Sequence, residues 1–442
     1  MYSKLAPVLA IASLVSAAAV PVEKRDIYFG NRGGHQGGWG DQGGYSASAS
    51  APGYTASAPP NNGYYQPSST QGYAPPSQTY GSQPAGSSSG GSSSGASNIF
   101  KFPTADGFPN VQNPSDALTQ IEIAAHGTLP IAPPPPATPP PPPKEDDLVS
   151  LRLIAFNELF EVAYFSELLY NITNAVPGYE FQDQSAKQQM IDAITAVVAQ
   201  EKEHTLNANG ALAKFNAGPI LPCTYQSPVS DLKTAISVAR TFTDVVLGTL
   251  GDVQTHQGQN GDAGLIRGVA AVIGQEGEQN GFYRSALGLI PSAAPFLTQS
   301  AREFAFSALN QAFIVPGSCP NVQTINLTIF DPLSPSPQFL QPQDQDVKFS
   351  FLAAGAKSHY ATNYQTLQVA FLNQQNVPVL AKLDNVSVAK DGTLSFSAHL
   401  PFNKFIMNGL TIAAVVDGAG PFNTINDVVA ATQFGPSLIE IN

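Results

Sequence analysis

Glu201-Lys202-Glu203-His204 sets a carboxylate and an imidazole three residues apart. On a helix that step is close to one turn, so Glu201 and His204 share a face. Together they offer an oxygen and a nitrogen donor, a mixture that suits Fe, Mn or Zn and not Cu(I). One Glu-x-x-His step alone is a weak signal. Two further carboxylates strengthen it, Glu158 in Phe156-Asn157-Glu158-Leu159-Phe160-Glu161 and Glu276 in Gln275-Glu276-Gly277-Glu278-Gln279. Glu161 and Gln279 stand one turn after Glu158 and Glu276 and complete the candidate set.

These residues gain meaning from the helices that must carry them. Apolar residues recur at steps of three and four through Leu151, Ile154, Glu158, Glu161, Phe165 and Leu168, and again through Ile194, Val197, Glu201, His204 and Ala208. The same period runs through Leu232, Ile236, Ala239, Thr243, Val246 and Leu250, and through Val269, Val272, Glu276, Gln279, Tyr283 and Ala286. Such stripes are the inward faces of amphipathic helices. The spacing predicts helices over about 147–172, 185–215, 227–256 and 262–291, with a shorter fifth over about 298–313. The third opens on the cap Ser227-Pro228. Carboxylates therefore interrupt three apolar stripes near mid-helix, with one histidine and no basic residue to balance them. Buried carboxylates are costly unless paired, protonated or bound to a cation. Either a divalent ion or a set of raised carboxyl pKa values answers that excess.

Glu-x-x-His steps with partner glutamates on facing helices are the ligand pattern of ferritin-like dimetal bundles. The quoted segments, with Ala239-Arg240-Thr241-Phe242-Thr243-Asp244, resemble the four helix signatures of the fungal secreted ferritin-like proteins. Among these the chain is similar to the late sexual development and stress-response proteins. The resemblance covers about residues 99–442. It implies a fungal source, secretion and a link to development or stress, and no particular reaction. Two positions depart from the dimetal pattern. Thr243 stands where such a site has Glu, and Gln279 where its second step has His. Both losses fall on one metal position, while Glu158, Glu201, His204 and Glu276 remain to form the other. Residue types alone weigh a metal-free, hydrogen-bonded core slightly ahead of a single Fe, Mn or Zn ion.

The remaining sequence sets the compartment. Lys4, the apolar run Leu5–Val15 and small residues Ala17–Ala19 read as a signal peptide over 1–19. Residues 20–25 read as a propeptide ending at the dibasic pair Lys24-Arg25. Residues 26–98 are Gly, Ser, Pro, Gln and Tyr without Leu, Val or Met, the composition of a disordered arm. Its tyrosines could self-associate, though a spacer is the favoured reading. Residues 99–146 read as a linker with a short helix near 116–125 and a polyproline rod over 133–143. Removing 26–143 is therefore expected to leave the melting temperature nearly unchanged.

Residues 147–319 form the helical block. From 320 to 442 the period becomes two, with a hairpin around Lys390-Asp391-Gly392 and strands at 323–330, 347–352, 367–371, 410–416 and 437–441. The expected fold class is α+β and multidomain, a ferritin-like bundle of four long helices and a short fifth followed by a small β-sandwich-like domain. The two cysteines, Cys223 and Cys319, are expected to pair in an oxidising compartment. Sequons at Asn171, Asn326 and Asn385 are candidate glycan acceptors.

The net charge of −12 argues against nucleic acid, which is bound through Lys and Arg. No segment is long and apolar enough to span a membrane. His35, His126, His256, His359 and His399 lie off the stripe. The favoured reading is a non-enzymatic protein of the extracellular space or cell wall that contacts wall or matrix components. The alternative is a single-metal-binding or redox protein using Glu158, Glu201, His204 and Glu276.

Overall fold

The computed structural model describes residues 100–131, 141–336 and 340–442. The signal, propeptide and arm (1–98) lie outside the described residues, as does the proline run over 132–140. In chain order the helices are α1 (Asp116–Ala125), α2 (Glu145–Thr173), α3 (Gln184–Lys214), α4 (Leu232–Asn260), α5 (Ile266–Ala286) and α6 (Arg302–Ala312). Local chemistry sets their ends. Ser115 caps α1 by accepting from the Leu118 amide, and Asp183 caps α3 by accepting from Ser185. Glu145, Asp146 and Asp147 place negative charge on the first turn of α2. Gly261 closes α4 in the left-handed region.

The middle of α2 is buried on every side, from Ala155 to Phe165. It is the central helix. The expected stripes of the other helices face it.

Two helix starts differ from expectation. α4 begins at Leu232, capped by Asp231, because the Ser227 hydroxyl donates instead to Glu167 of α2 at 2.9 Å. α5 begins at Ile266, because the Asp262 carboxylate accepts from the Lys144 amide at the start of α2. α6 begins four residues later than expected. Thr298 is held by the Leu410 carbonyl at 2.7 Å, which draws that stretch onto a sheet.

The second half supplies β1 (Ser334–Pro335), β2 (Gln345–Leu352), β3 (Leu367–Asn373), β4 (Val379–Lys382), β5 (Asp384–Val388), β6 (Thr393–Leu400), β7 (Gly409–Asp417) and β8 (Thr432–Ile441). Short helices α7 (Phe402–Phe405) and α8 (Ile425–Ala431) flank β7. Two antiparallel sheets have the orders β1-β2-β6-β5 and β4-β3-β7-β8. They share one core, in which Phe349 and Phe351 of β2 meet Phe371 of β3 and Phe434 of β8. The expected hairpin is β5–β6. The expected strand at 323–330 is absent. There a 3-10 turn covers Val322–Thr324, and Phe330 gives its amide to Ser307 and its carbonyl to Gln311, both on α6.

The sheet β4-β3-β7-β8 is buried on both faces at β7. Its outer face, Ala370, Leu372, Ile412, Ala414 and Val416, packs on Val245 of α4 and on Phe304 and Ala308 of α6. Each buried Val, Leu, Ile or Phe among them contributes about 1.5–3 kcal/mol by burial. All described residues accordingly belong to one compact unit. Gly248 marks how closely the layers meet, since a Cβ there would lie 2.1 Å from the Thr298 carbonyl oxygen.

The segment read as a linker also joins the core. Phe108 is fully buried, Lys202 of α3 pairs with Asp106 at 2.6 Å, and Ile121 and Ala125 of α1 pack on Ala199. The expectation that this segment has no core to contribute is thus corrected. Cys223 and Cys319 are bonded and tie the α3–α4 crossover to the chain after α6. Asn326 and Asn385 are exposed, as a glycan requires. Asn171 is buried in α2, so its sequon does not offer the exposed amide expected of it. No described helix is long and apolar enough to cross a membrane.

Candidate metal centre

Glu158 comes from α2, Glu201 and His204 from α3, and Glu276 from α5. One ligand atom of each lies within 4.8 Å of all the others. The His204 Nδ1 is 2.9 Å from Glu201 Oε2, 3.4 Å from Glu158 Oε2 and 3.9 Å from Glu276 Oε1. The three carboxylates are buried, and His204 keeps slight contact with solvent. Helix periodicity produces this convergence. Glu201 and His204 share the inward face of α3, and the apolar neighbours on each stripe bury the acids with them.

Two residues of the candidate set lie beside the cluster. Glu161 is fully buried and accepts from Asn157 Nδ2 at 2.8 Å on Oε1, and its Oε2 has no partner. Gln279 donates from Nε2 to Glu201 Oε1 at 2.7 Å and to Gln200 Oε1 at 3.1 Å. An amide that presents its NH2 to the cluster orients a carboxylate and is not itself a ligand. Thr243 is buried with its hydroxyl unpartnered.

Asn157 and Gln200 were not singled out in the sequence. Asn157 stands four residues before Glu161, a spacing at which helical side chains meet, and that was the available signal. Gln200 carried none. Its role depends on Gln275 and Gln279 of α5, which both donate to it.

The electrostatics follow from burial. Desolvation pushes Glu158 up to about 7, the Glu201 carboxylate adds to the rise, and His204 opposes it. Glu276 lies well above the usual carboxylate range through burial and then through Glu158 and Glu201. Glu161 is raised likewise, by burial and then by Glu201, Glu276 and Glu158. Burial works against a charged His204, yet Glu201 and Glu158 outweigh it and hold the ring well above its ordinary value. The site therefore demands positive charge.

A proton on Glu276 would meet that demand poorly. A protonated carboxyl donates its O–H to an acceptor, and neither oxygen of Glu276 has any hydrogen-bond partner. A cation would take one oxygen from Glu276, as from each of the other carboxylates. Bonds of about 2.0–2.2 Å to oxygen and nitrogen place the donors of one shell up to about 4.4 Å apart. The observed spread is close to that, so small side-chain shifts would close it around one ion. A second ion would find the neutral Thr243 hydroxyl, an amide already committed to Glu201, and Glu161 Oε2 as its one further carboxylate oxygen.

Another buried charged cluster makes an instructive contrast. Arg240 and Asp244 of α4, Arg284 of α5 and Glu440 of β8 lie together, with Arg240 Nη2 3.7 Å from Glu440 Oε2. Two cations face two acids there, so no excess calls for an ion. His256, off the stripe as expected, pairs with Asp146 at 2.8 Å on the same carboxylate that Arg302 engages at 2.9 Å.

No protein-family model matches this chain, and no curated protein matches it.

Proposed function

We propose that the protein is a secreted, ferritin-like, non-enzymatic component of the fungal extracellular space or cell wall that holds one divalent ion of Fe, Mn or Zn. The observation that carries this reading is Glu276. Its two unpartnered buried oxygens face Glu158, Glu201 and His204 in a cluster with more acid than base. Glu158, Glu201 and Glu276 would give the oxygens, and His204 the nitrogen from Nδ1. Such an ion supplies Lewis acidity or, if Fe or Mn, one-electron chemistry. The chain's own residues would hold it, with Gln279 fixing Glu201 and Asn157 fixing Glu161. Two-metal oxygen chemistry is disfavoured, because Glu161 alone would give the other position a charged donor beside the neutral Thr243 and Gln279. Secretion rests on the N-terminal pattern, and it agrees with the bonded cysteine pair. The tie to sexual development or stress rests on resemblance alone.

A metal-free scaffold is the second reading, favoured by the 2.7 Å bond from Gln279 to Glu201. Titration calorimetry separates the two. Chelator-treated protein should bind Zn²⁺ or Mn²⁺ with a stoichiometry of one and release protons, since His204 must lose its proton to ligate. Absence of a saturable isotherm with either ion would favour the scaffold.

A further inference from the structure

Phe296, Val377 and Ile406 are 63%, 65% and 64% exposed, among the larger apolar exposures of the described residues, and Leu297 beside them is 41% exposed. They come from three distant stretches, the α5–α6 loop, the β3–β4 turn and the segment between α7 and β7. Hydrogen bonds join these stretches into one tip. The Gln299 amide donates to the Gln374 carbonyl at 3.0 Å, and Gln299 Nε2 to Asn376 at 2.6 Å. Gln375 Nε2 donates to Leu297 at 2.9 Å and Gln374 Nε2 to Ile406 at 3.2 Å. Thr298 Oγ1 accepts from the Gln374 amide at 2.9 Å while donating to Leu410. The backbone is thus fixed while the apolar side chains stand in water.

Two further observations separate this tip from ordinary surface. Ile406 has φ +50°, the left-handed region, where a β-branched residue is strained. A glycine or asparagine would sit there more easily, yet an exposed isoleucine occupies it. Strain of this kind persists where the surroundings enforce it and concentrates at functional sites. The charge is also unusual. Residues 287–299, 374–378 and 402–408 contain no Asp or Glu, and Lys404 is their one charged residue, in a chain of net charge −12.

We propose that this tip inserts into a zwitterionic lipid surface. Rigid loops presenting Phe, Leu, Val and Ile match the boundary between headgroups and acyl chains. Lys404, exposed and with its Nζ 5.0 Å from the Phe405 ring, stands at the rim where a lysine reaches headgroup phosphate. The rest of the protein, being acidic, would be repelled by an anionic surface, so a neutral one is the fit. A second copy of this chain is the rival occupant, and polysaccharide is less suited because Phe296 is the tip's one exposed aromatic ring.

The test is sedimentation of the full secreted chain with phosphatidylcholine vesicles, beside the triple variant Phe296→Ser, Val377→Ser, Ile406→Gly. The wild type should co-sediment, with little dependence on salt, and the variant should bind at least tenfold more weakly. Ile406→Gly alone relieves the strained φ, so it should melt at or above the wild-type temperature while still losing binding. A control, Ile123→Ser with Val388→Ser, removes exposed apolar residues elsewhere and should bind as the wild type does. No co-sedimentation at millimolar lipid would overturn the proposal. So would equal binding by the triple variant, or a wild-type dimer that the variant dissolves without any vesicle binding.

Discussion

At the scale of single residues, burial decides which groups carry charge. Asp147 makes this testable away from the candidate centre. Its side chain is buried, and its carboxyl is pushed from the usual 3.8 up to about 6 by burial and by the facing Asp262, against the opposing pull of Asn260. A raised carboxyl binds its proton more tightly in the folded state. Its contribution to stability is therefore complete below about pH 4 and is lost as pH rises through about 6. Asp147→Asn keeps the neutral form at every pH. Thermal melts should show the variant gaining on the wild type at pH 7 and matching it at pH 4. An equal gain at both values would point to some cause other than titration. The same reasoning applies to Glu276, whose burial beside Glu158 and Glu201 raises its carboxyl and calls for either a proton or a cation.

At the scale of elements, the helices were legible where their period was. The stripes through Glu158, Glu201 and Glu276 put these residues inside because steps of three and four are a property of the α-helix itself. Element starts were less legible where a capping side chain had a tertiary partner. Ser227 is bonded to Glu167 and Asp262 to Lys144, and nothing local in the sequence announces either bond. Phe108 was missed for a similar reason, as it lies in an aperiodic stretch and reaches the core as a single anchor. Its burial gives a direct test. Phe108→Ala should cost about 3–5 kcal/mol, the usual loss for a buried phenylalanine, read as a shift of the denaturation midpoint. A change below about 1 kcal/mol would return this segment to the status of a linker. Gly248→Ala tests the contact between α4 and the loop before α6. The added methyl must push back the Thr298 backbone, at a cost of about 1–3 kcal/mol.

At the scale of the whole molecule, helices and sheets form one unit because β7 and its neighbours give their outer face to α4 and α6. The period of two showed that strands follow the helices. It could not show that one sheet would be buried on both faces, although the continuous run Leu410–Val416 is the pattern of such a strand. Two residues far apart in sequence, Asp244 and Glu440, meet across this junction, and no local pattern marks them. The disulfide closes a loop with sequence separation 96 and should contribute about 2–5 kcal/mol. Cys223→Ser with Cys319→Ser should lower the unfolding free energy by that amount without changing the far-ultraviolet circular dichroism.

The central claim is that three helices bring together one metal position and not two. Elemental analysis of the full chain, produced with supplementary Fe, Mn and Zn, addresses it most directly. The expected result is a metal-to-chain ratio at or just below one, falling to near zero in His204→Ala while that variant keeps the wild-type circular dichroism. Two tightly bound ions per chain would contradict the reading of Thr243 and Gln279 as a lost position. A ratio of zero would contradict the metal reading itself and leave the four carboxylates to shared protons and Gln279.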